Sequence, residues 1–365
     1  MPLSAGLVGL PNVGKSTIFN ALTSAKAAAE NYPFCTIDPN HGVITVPDHR
    51  LRKITELCPT KKVVPTYIEV VDIAGLVKGA SQGDGLGNQF LGHIKNVDAI
   101  IHVVRCFEND DIVHVEKSID PIRDINIIET ELMLKDMETV DNGIKRVQKN
   151  TKSGDKEAKA KLAAFEKAKQ ALDAGKLIRN AITDEKDLKE LYELFLLTSK
   201  SIIYVANVDE TALADKNNKH VKALRDHAVS SGAACVTICG KIEAEIAELA
   251  ESERGEFLAS IGLEEPGLNV LTRTVYDILG LATFFTAGPD ENRAWTIKKG
   301  FTAPQAAGVI HSDFERGFIC ADVYTLSDLE NYKKESAIRA AGKIRQEGKE
   351  YVVQDGDIMF FKFNV

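Results

Sequence analysis

The tightest constraint on this chain's fold lies in its first twenty residues. Gly9-Leu10-Pro11-Asn12-Val13-Gly14-Lys15-Ser16 matches G-x-x-x-x-G-K-[ST], with the apolar run Ala5–Gly9 before it and the helical stretch Thr17–Leu22 after it. The glycines let the backbone curl so that successive N–H groups face an anion. The helix that follows offers its positive end to the same charge. Lys15 is expected to reach the β- and γ-phosphates of a nucleotide as a point charge, and Ser16 to ligate Mg²⁺. A short buried strand feeding such a loop and helix predicts an α/β domain with a mostly parallel sheet.

Further strand-like runs support that class: Val43–Val46, Tyr67–Asp72, Ala99–Val104, Ile202–Ala206 and Ala234–Ile238. Several are nearly continuous apolar stretches, as expected for strands covered on both faces. Little helix separates Val43–Val46 from Tyr67–Val71 beyond Asp48–Leu57, so an antiparallel pair at one edge is open. Between 125 and 197 strand signals stop. Ile128, Leu132, Leu134 and Met137 recur at helical spacing, and Leu162, Phe165, Ala168 and Leu172 form a second stripe. The polar Thr151–Asp155 reads as the turn between two antiparallel helices. The strand signal resumes at Ile202, so the hairpin is expected as an insertion. From about Gly280 strands and helices alternate in a compact α+β pattern, after a linker at Glu264-Glu265-Pro266-Gly267. The expected domains are 1–124 with 198–279 for nucleotide binding, 125–197 for the hairpin, and 280–365 for the C-terminal unit.

Asp72-Ile73-Ala74-Gly75 ends one of those strands, 56 residues after Ser16. D-x-x-G is weak alone, but in this place Asp72 is expected to contact Mg²⁺ and Gly75 to sense the γ-phosphate. Thr36 is the candidate to complete the metal shell. The Gly-rich run Gly79–Gly87 is expected to rearrange when the γ-phosphate leaves. Where a water-orienting glutamine follows D-x-x-G in Ras-type enzymes, this chain has Leu76. His114, in the loop Asn109–His114, is one candidate to take over that task. Guanine readers carry N-K-x-D after a buried strand, whereas this chain has Asn207-Val208-Asp209-Glu210. Glu210 is one methylene longer than Asp, which weakens the case for GTP and opens ATP.

The chain has 365 residues, 44% of them hydrophobic, and a net charge of −8, which argues against a body wrapped in nucleic acid. The average hides a local pattern. From 144 to 179 there are eleven Lys and Arg against four Asp and Glu, so that segment is +7 and the remainder −15. A phosphate-rich partner is expected there. With no aromatics between the lysines, backbone contact with structured RNA fits better than base stacking. No apolar run of about 18 residues and no secretory signal are present, and six scattered cysteines without a zinc spacing fit a reducing cytosol.

Taken together, Gly9–Thr17, Asp72–Ser81, Asn207–Glu210, the inserted hairpin and Tyr351–Ile358 closely resemble the YchF family of Obg-like ATPases over essentially the full length. The resemblance implies a P-loop NTPase domain, an inserted antiparallel helical hairpin and a ubiquitin-like α+β TGS domain. It implies an ATPase that binds GTP more weakly and associates with the ribosome, as a cytoplasmic monomer. By position it assigns Asn12, Val13, Gly14, Lys15, Ser16 and Thr17 to the phosphates, and Asn207, Val208 and Glu210 to the base. It gives Ser16 and Thr36 to Mg²⁺ and implicates His114 in hydrolysis. The motifs themselves add Asp72 to the metal and Lys15 to catalysis. Asn12 is a hypothesis for K⁺, because an Asn at this position accompanies potassium-stimulated hydrolysis in related P-loop families. Two alternatives are an Obg-type GTPase that tolerates Glu210, and a nucleotide-gated adaptor that does not hydrolyse, which Leu76 would suit.

Overall fold

The computed structural model describes residues 3–24, 40–73, 86–109, 114–151, 155–213, 215 and 218–364. Through the hairpin the chain runs β1 (Ser4–Val8), α1 (Lys15–Thr23), β2 (His41–Thr45), α2 (His49–Leu57), β3 (Lys62–Val64), β4 (Tyr67–Asp72), α3 (Leu86–Asn96), β5 (Ala99–Arg105), α4 (Pro121–Thr151), α5 (Lys156–Asp173), α6 (Ile178–Ala181) and α7 (Glu185–Leu191). It continues with β6 (Ser201–Asn207), α8 (Glu210–Leu213), α9 (Lys219–Ser231), β7 (Ala234–Ile238), α10 (Gly240–Glu248), α11 (Glu251–Ser260) and α12 (Gly267–Ile278). The last part holds β8 (Leu281–Thr286), β9 (Glu291–Lys298), α13 (Ala303–Ile310), α14 (Ser312–Arg316), β10 (Phe318–Tyr324), α15 (Leu326–Tyr332), α16 (Glu335–Ala340), β11 (Arg345–Glu347) and β12 (Ile358–Phe363).

Contacts divide the chain into two units, residues 1–43 with 69–271, and residues 44–68 with 272–365. The first unit carries a sheet of order β2-β4-β1-β5-β6-β7. Strands β4, β1, β5, β6 and β7 pair in parallel. The edge pair β2–β4 is antiparallel: Asp72 N–H donates to Asn40 O and Val46 N–H to Thr66 O. All seven residues of β5 are buried, which is why that strand reads as one apolar run. The chain turns left from β1 to β4 and right to β5, so the loop after β1 sits at the switch point where α/β sheets hold ligands.

The insertion is a helical hairpin, as expected. Helix α4 has 31 residues, and its side chains meet those of α5 in a core of Val140, Val147, Phe165, Ala168 and Leu172. A glycine in mid-helix is costly unless something needs the space. Here a Cβ on Gly143 would meet the Phe165 ring at 3.0 Å, so the glycine permits the close approach. Of the predicted α4 stripe, Ile128 and Leu132 are buried, but Leu134 is exposed. At the foot, the buried Asp136 carboxylate accepts from Leu197 N–H and Thr198 N–H, both at 2.8 Å, and from Thr198 Oγ at 2.6 Å. That ties α4 to the start of β6. The predicted linker at 264–267 is pinned rather than loose: Gly267 N–H donates to the buried Glu243 carboxylate at 2.7 Å and opens α12.

The second unit is α+β, with a mixed sheet of order β11-β10-β12-β8-β9-β3. Helix α13 covers one apolar cluster through Ala303, Ala306 and Ala307. Leu51 and Ile54 of α2 join another with Phe285, Leu329 and Ile338. Arg50 bridges Asp48 at 2.8 Å and Asp355 at 2.7 Å and lies over the Phe285 ring. Residues 44–68 are expected in the nucleotide domain, yet they cluster with 272–365: β3 pairs with β9 and α2 packs in the second core, while the ends of β2 and β4 stay in the first sheet. The reason is burial: the apolar face of α2 has its partners in that second core.

One group within the first sheet carries a pH signature. His102 of β5 is wholly buried, its Nδ1 has no hydrogen-bond partner among the described residues, and burial lowers its pKa to about 3. The unfolded chain therefore binds a proton below pH about 6.5 that the folded chain refuses, so stability falls by about 1.4 kcal/mol per pH unit from there down towards pH 3. His102→Leu should remove that slope. Urea midpoints at pH 7 and pH 5 should show the wild type losing about 2 kcal/mol more than the variant; equal losses would refute the assignment.

Candidate functional site

The loop between β1 and α1 is shaped by backbone that other residues adopt with strain. Asn12 has φ +61 and Gly14 φ +94, and Gly14 is the N-cap of α1. A Cβ on Gly9 would meet Val103 O at 2.5 Å, and one on Gly14 would overlap the Asn207 amide nitrogen. Both glycines are thus required by close approach as well as by curl. Val13 is buried, while Asn12, Ser16 and Thr17 face solvent. Lys15 is 7% exposed and donates to Gly9 O at 3.2 Å and Leu10 O at 3.0 Å. Burial lowers its pKa, and the Asp72 carboxylate works against that shift. The curled loop and the Lys15 ammonium thereby frame the N-terminal end of α1, where a phosphate chain can lie.

Ser16 and Asp72, 56 residues apart, meet here: Ser16 Oγ donates to Asp72 Oδ2 at 3.3 Å. Burial raises the Asp72 pKa, opposed by Lys15 and by the Ser16 bond. Asp72 Oδ1 is buried without a hydrogen-bond partner among the described residues. A hydroxyl and a carboxylate with an unused oxygen suit a hard cation that keeps most of its own water. They therefore fit Mg²⁺, which takes one or two protein oxygens plus phosphate. Among the described residues no group of three or more His, Cys, Asp and Glu could hold a metal by itself. Thr36, Gly75, Leu76 and 79–85 lie outside the described residues.

Asn207 is better placed to build the site than to read a base. Its Nδ2 donates to Val13 O at 2.8 Å, and its Oδ1 accepts from Gly240 N–H at 3.0 Å. One side chain thus joins the phosphate loop, the end of β6 and the start of α10. Val208 is buried and its N–H goes to Ile238 O at 2.8 Å. Glu210 accepts from Lys241 Nζ at 2.6 Å, so its carboxylate is engaged across to Cys239-Gly240-Lys241. Sequence reasoning left those three residues unassigned; their contacts with Asn207 and Glu210 place Gly240 and Lys241 at the site's edge.

His114 is 6% exposed and its ring is fully occupied. Nε2 lies 2.9 Å from Asp124 Oδ2, and Nδ1 accepts from Glu116 N–H at 3.1 Å. Arg105, buried at the end of β5, holds the start of this loop by donating to Phe107 O at 3.1 Å and Asn109 O at 3.0 Å. Neither Arg105 nor Asp124 stands in a motif; Arg105 holds the loop by local bonds two and four residues on, and Asp124 reaches His114 from the start of α4.

A phosphate loop at the switch point, a Ser–Asp pair beneath it and a helical hairpin inserted before β6 define a known combination. Residues 4–142 match the family model described as "50S ribosome-binding GTPase", and residues 281–364 match the C-terminal YchF-GTPase model described as a protein of unknown function. The "Ribosome-binding ATPase YchF" of Bacillus subtilis is 54% identical over all of both chains. The chain belongs to the YchF family. The human "Obg-like ATPase 1" is 46% identical over 99% of this chain and 92% of its own. The solved Schizosaccharomyces pombe YchF GTPase superposes with a TM-score of 0.88 at 40% identity, covering 99% of this chain and 98% of that one. The YchF architecture thus spans this sequence from end to end.

Gly14→Ala tests the loop. Left-handed strain and the clash with Asn207 together exceed about 3 kcal/mol, so nucleotide affinity should fall at least about 100-fold in a fluorescence titration. A loss below about tenfold would show that the loop reshapes around the methyl.

Proposed function

We propose that this YchF-family chain is a Mg²⁺-dependent ATPase that acts as a nucleotide-controlled switch on the ribosome. The observation that carries ATP over GTP is the engagement of Glu210. A guanine reader keeps its carboxylate free to accept from the guanine edge; here the carboxylate already holds Lys241, and Val208 presents no cation to stack on the base. Adenine needs only main-chain acceptors for its amino group. Asn12 to Thr17 bind the phosphates, with Lys15 turned from Gly9 O and Leu10 O towards the β- and γ-oxygens. Ser16, Asp72 and Thr36 would hold the metal, which when bound would supply positive charge to the phosphate oxygens. Asn12, exposed at the loop's tip, is the residue a K⁺ ion would use. His114 serves hydrolysis in place of the glutamine that Leu76 replaces. The C-terminal unit corresponds to the TGS domain, and the chain works as a cytoplasmic monomer; no helix among the described residues is long and apolar enough to cross a membrane.

The hairpin's charges favour an RNA contact at its tip. Arg146 and Lys161 pair with Glu193, Lys167 with Asp187, Lys169 with Asp141, and Arg179 with Glu129. By contrast Lys145, Lys149, Lys156 and Lys159 are exposed and make no ion pair among the described residues. Lys176, Lys186 and Lys189 are exposed and unpaired among the described residues as well, so four of these seven free lysines stand where α4 ends and α5 begins.

Reversing Lys145, Lys149, Lys156 and Lys159 to Glu should abolish salt-sensitive co-sedimentation with ribosomes. Removing each phosphate contact should lower the slope of log K against log salt by about one. ATP turnover without ribosomes should be unchanged. Wild-type co-sedimentation by the reversed protein would refute the tip as the contact.

A further inference from the structure

Asp124 lies in the first turn of α4 and belongs to no nucleotide-binding motif. Its carboxylate is 2% exposed, yet it is shared by two partners. Oδ2 holds His114 Nε2 at 2.9 Å, and Oδ1 accepts from Arg123 Nε at 3.1 Å and Nη2 at 2.8 Å. Arg123 in turn donates to Ser118 Oγ at 2.8 Å and Ser118 O at 2.7 Å, which clamps the carboxylate from its far side.

The histidine's tautomer follows from its neighbours. A ring nitrogen that accepts a hydrogen bond carries no proton, and Nδ1 accepts from Glu116 N–H. The proton is therefore on Nε2 and is given to Asp124. Lys117 N–H donates to His114 O at 3.0 Å, and Lys117 sits at φ +59, so a tight turn fixes the backbone as well. A base for water needs a ring nitrogen with an open lone pair. In this arrangement neither nitrogen offers one.

An Asp–His pair can also serve catalysis, as when a carboxylate orients an imidazole whose other nitrogen faces the reacting atom. Here the other nitrogen faces a backbone N–H, so the contact withholds the ring.

We propose that Asp124 is a positioning residue that holds His114 withdrawn, and that hydrolysis requires the ring to leave this carboxylate. The inference rests on the reading of His114 as the group that serves hydrolysis. When the ring leaves Asp124 it also leaves the Glu116 N–H, which opens the Nδ1 lone pair. Nδ1 can then take the proton of the attacking water as its oxygen bonds to the γ-phosphorus and the bridging P–O bond breaks, its electron pair leaving with ADP. The position of Asp124 adds a route for control. Helix α4 is continuous from Pro121 to Thr151, so the element whose first turn holds His114 carries Lys145 and Lys149 near its other end. A partner that grips the tip acts on the element that holds the ring.

The test is single-turnover ATP hydrolysis with and without ribosomes, on the full chain and on Asp124→Asn, Asp124→Ala and His114→Ala. Asn keeps the shape and replaces a charge-assisted hydrogen bond with a neutral one, so the ribosome-free rate should rise about tenfold and the ribosome's stimulation should shrink by the same factor. Adding His114→Ala to Asp124→Asn should remove the gain. In ¹⁵N-histidine spectra the wild-type His114 should be the Nε2–H tautomer, and Asp124→Asn should mix it with the other. Rates that fall or stay level in Asp124→Asn overturn the proposal, because the carboxylate would then be orienting the ring or irrelevant to it. An Nδ1–H tautomer in the wild type overturns it as well, whether or not Asp124→Ala folds. If His114→Ala alone hydrolyses at the wild-type rate, the reading of His114 fails first, and that result is separate from any behaviour of the Asp124 variants.

Discussion

One side-chain amide holds the nucleotide site in shape. Asn207 bonds Val13 O in the phosphate loop and Gly240 N–H at the start of α10, and its nitrogen occupies the space that a side chain on Gly14 would need. Three loops from separate strands of the sheet are thereby fixed to one another before any ligand arrives. This is preorganisation in the physical sense: N–H groups aimed at an anion are useful only if they need not be reoriented to meet it. The same clamp leaves Glu210 and Lys241 side by side on the rim. The residue proposed to face the base, Glu210, is thus in an ion pair instead of presenting a free carboxylate.

How much of this could be read in the residues depends on how local each signal is. The phosphate loop, the buried strands and both arms of the hairpin are local, because Gly and Lys at fixed spacing and apolar residues at strand or helix periods act within a few positions. Tyr67–Asp72 and Ala234–Ile238 stand as strands at the expected bounds. What stayed hidden is what distant segments do together. Asn207 looks like a base reader in sequence and acts as a clamp in space. Asp124 lies outside every motif and meets His114 through the turn of chain that starts α4. Residues 44–68 look like part of the nucleotide domain because they lie between its strands, yet the apolar face of α2 is buried with the C-terminal core. The chain between Thr36 and Asp72 therefore passes through the second unit on its way from one expected metal ligand to the other.

The charge of the hairpin shows why a window count can mislead. Residues 144–179 carry a surplus of seven, but residues 125–197 hold fourteen bases and fourteen acids and sum to zero. The acids of α4 and of the segment after α6 are not a uniform background. Glu129, Asp141, Asp187 and Glu193 pair with specific bases along the arm, leaving the lysines nearest the tip uncompensated. Lys176, Lys186 and Lys189 are also free among the described residues, so the arm carries unpaired positive charge along its length and most of it near the tip, which suits contact with a polyanion.

These features support the proposed switch: a phosphate loop held in shape by Asn207, a Glu210 carboxylate engaged by Lys241, and a histidine in the hold of a carboxylate. The central claim is the choice of nucleotide, because the Glu210–Lys241 pair is the feature that separates this site from a guanine reader. Titration of the nucleotide-free protein with ATP and with GTP, by calorimetry in Mg²⁺, tests it most directly. The account predicts tighter binding of ATP, with the gap closing or reversing when Val208→Lys and Glu210→Asp restore the guanine-reading pattern. Tighter binding of GTP by the wild type would contradict it.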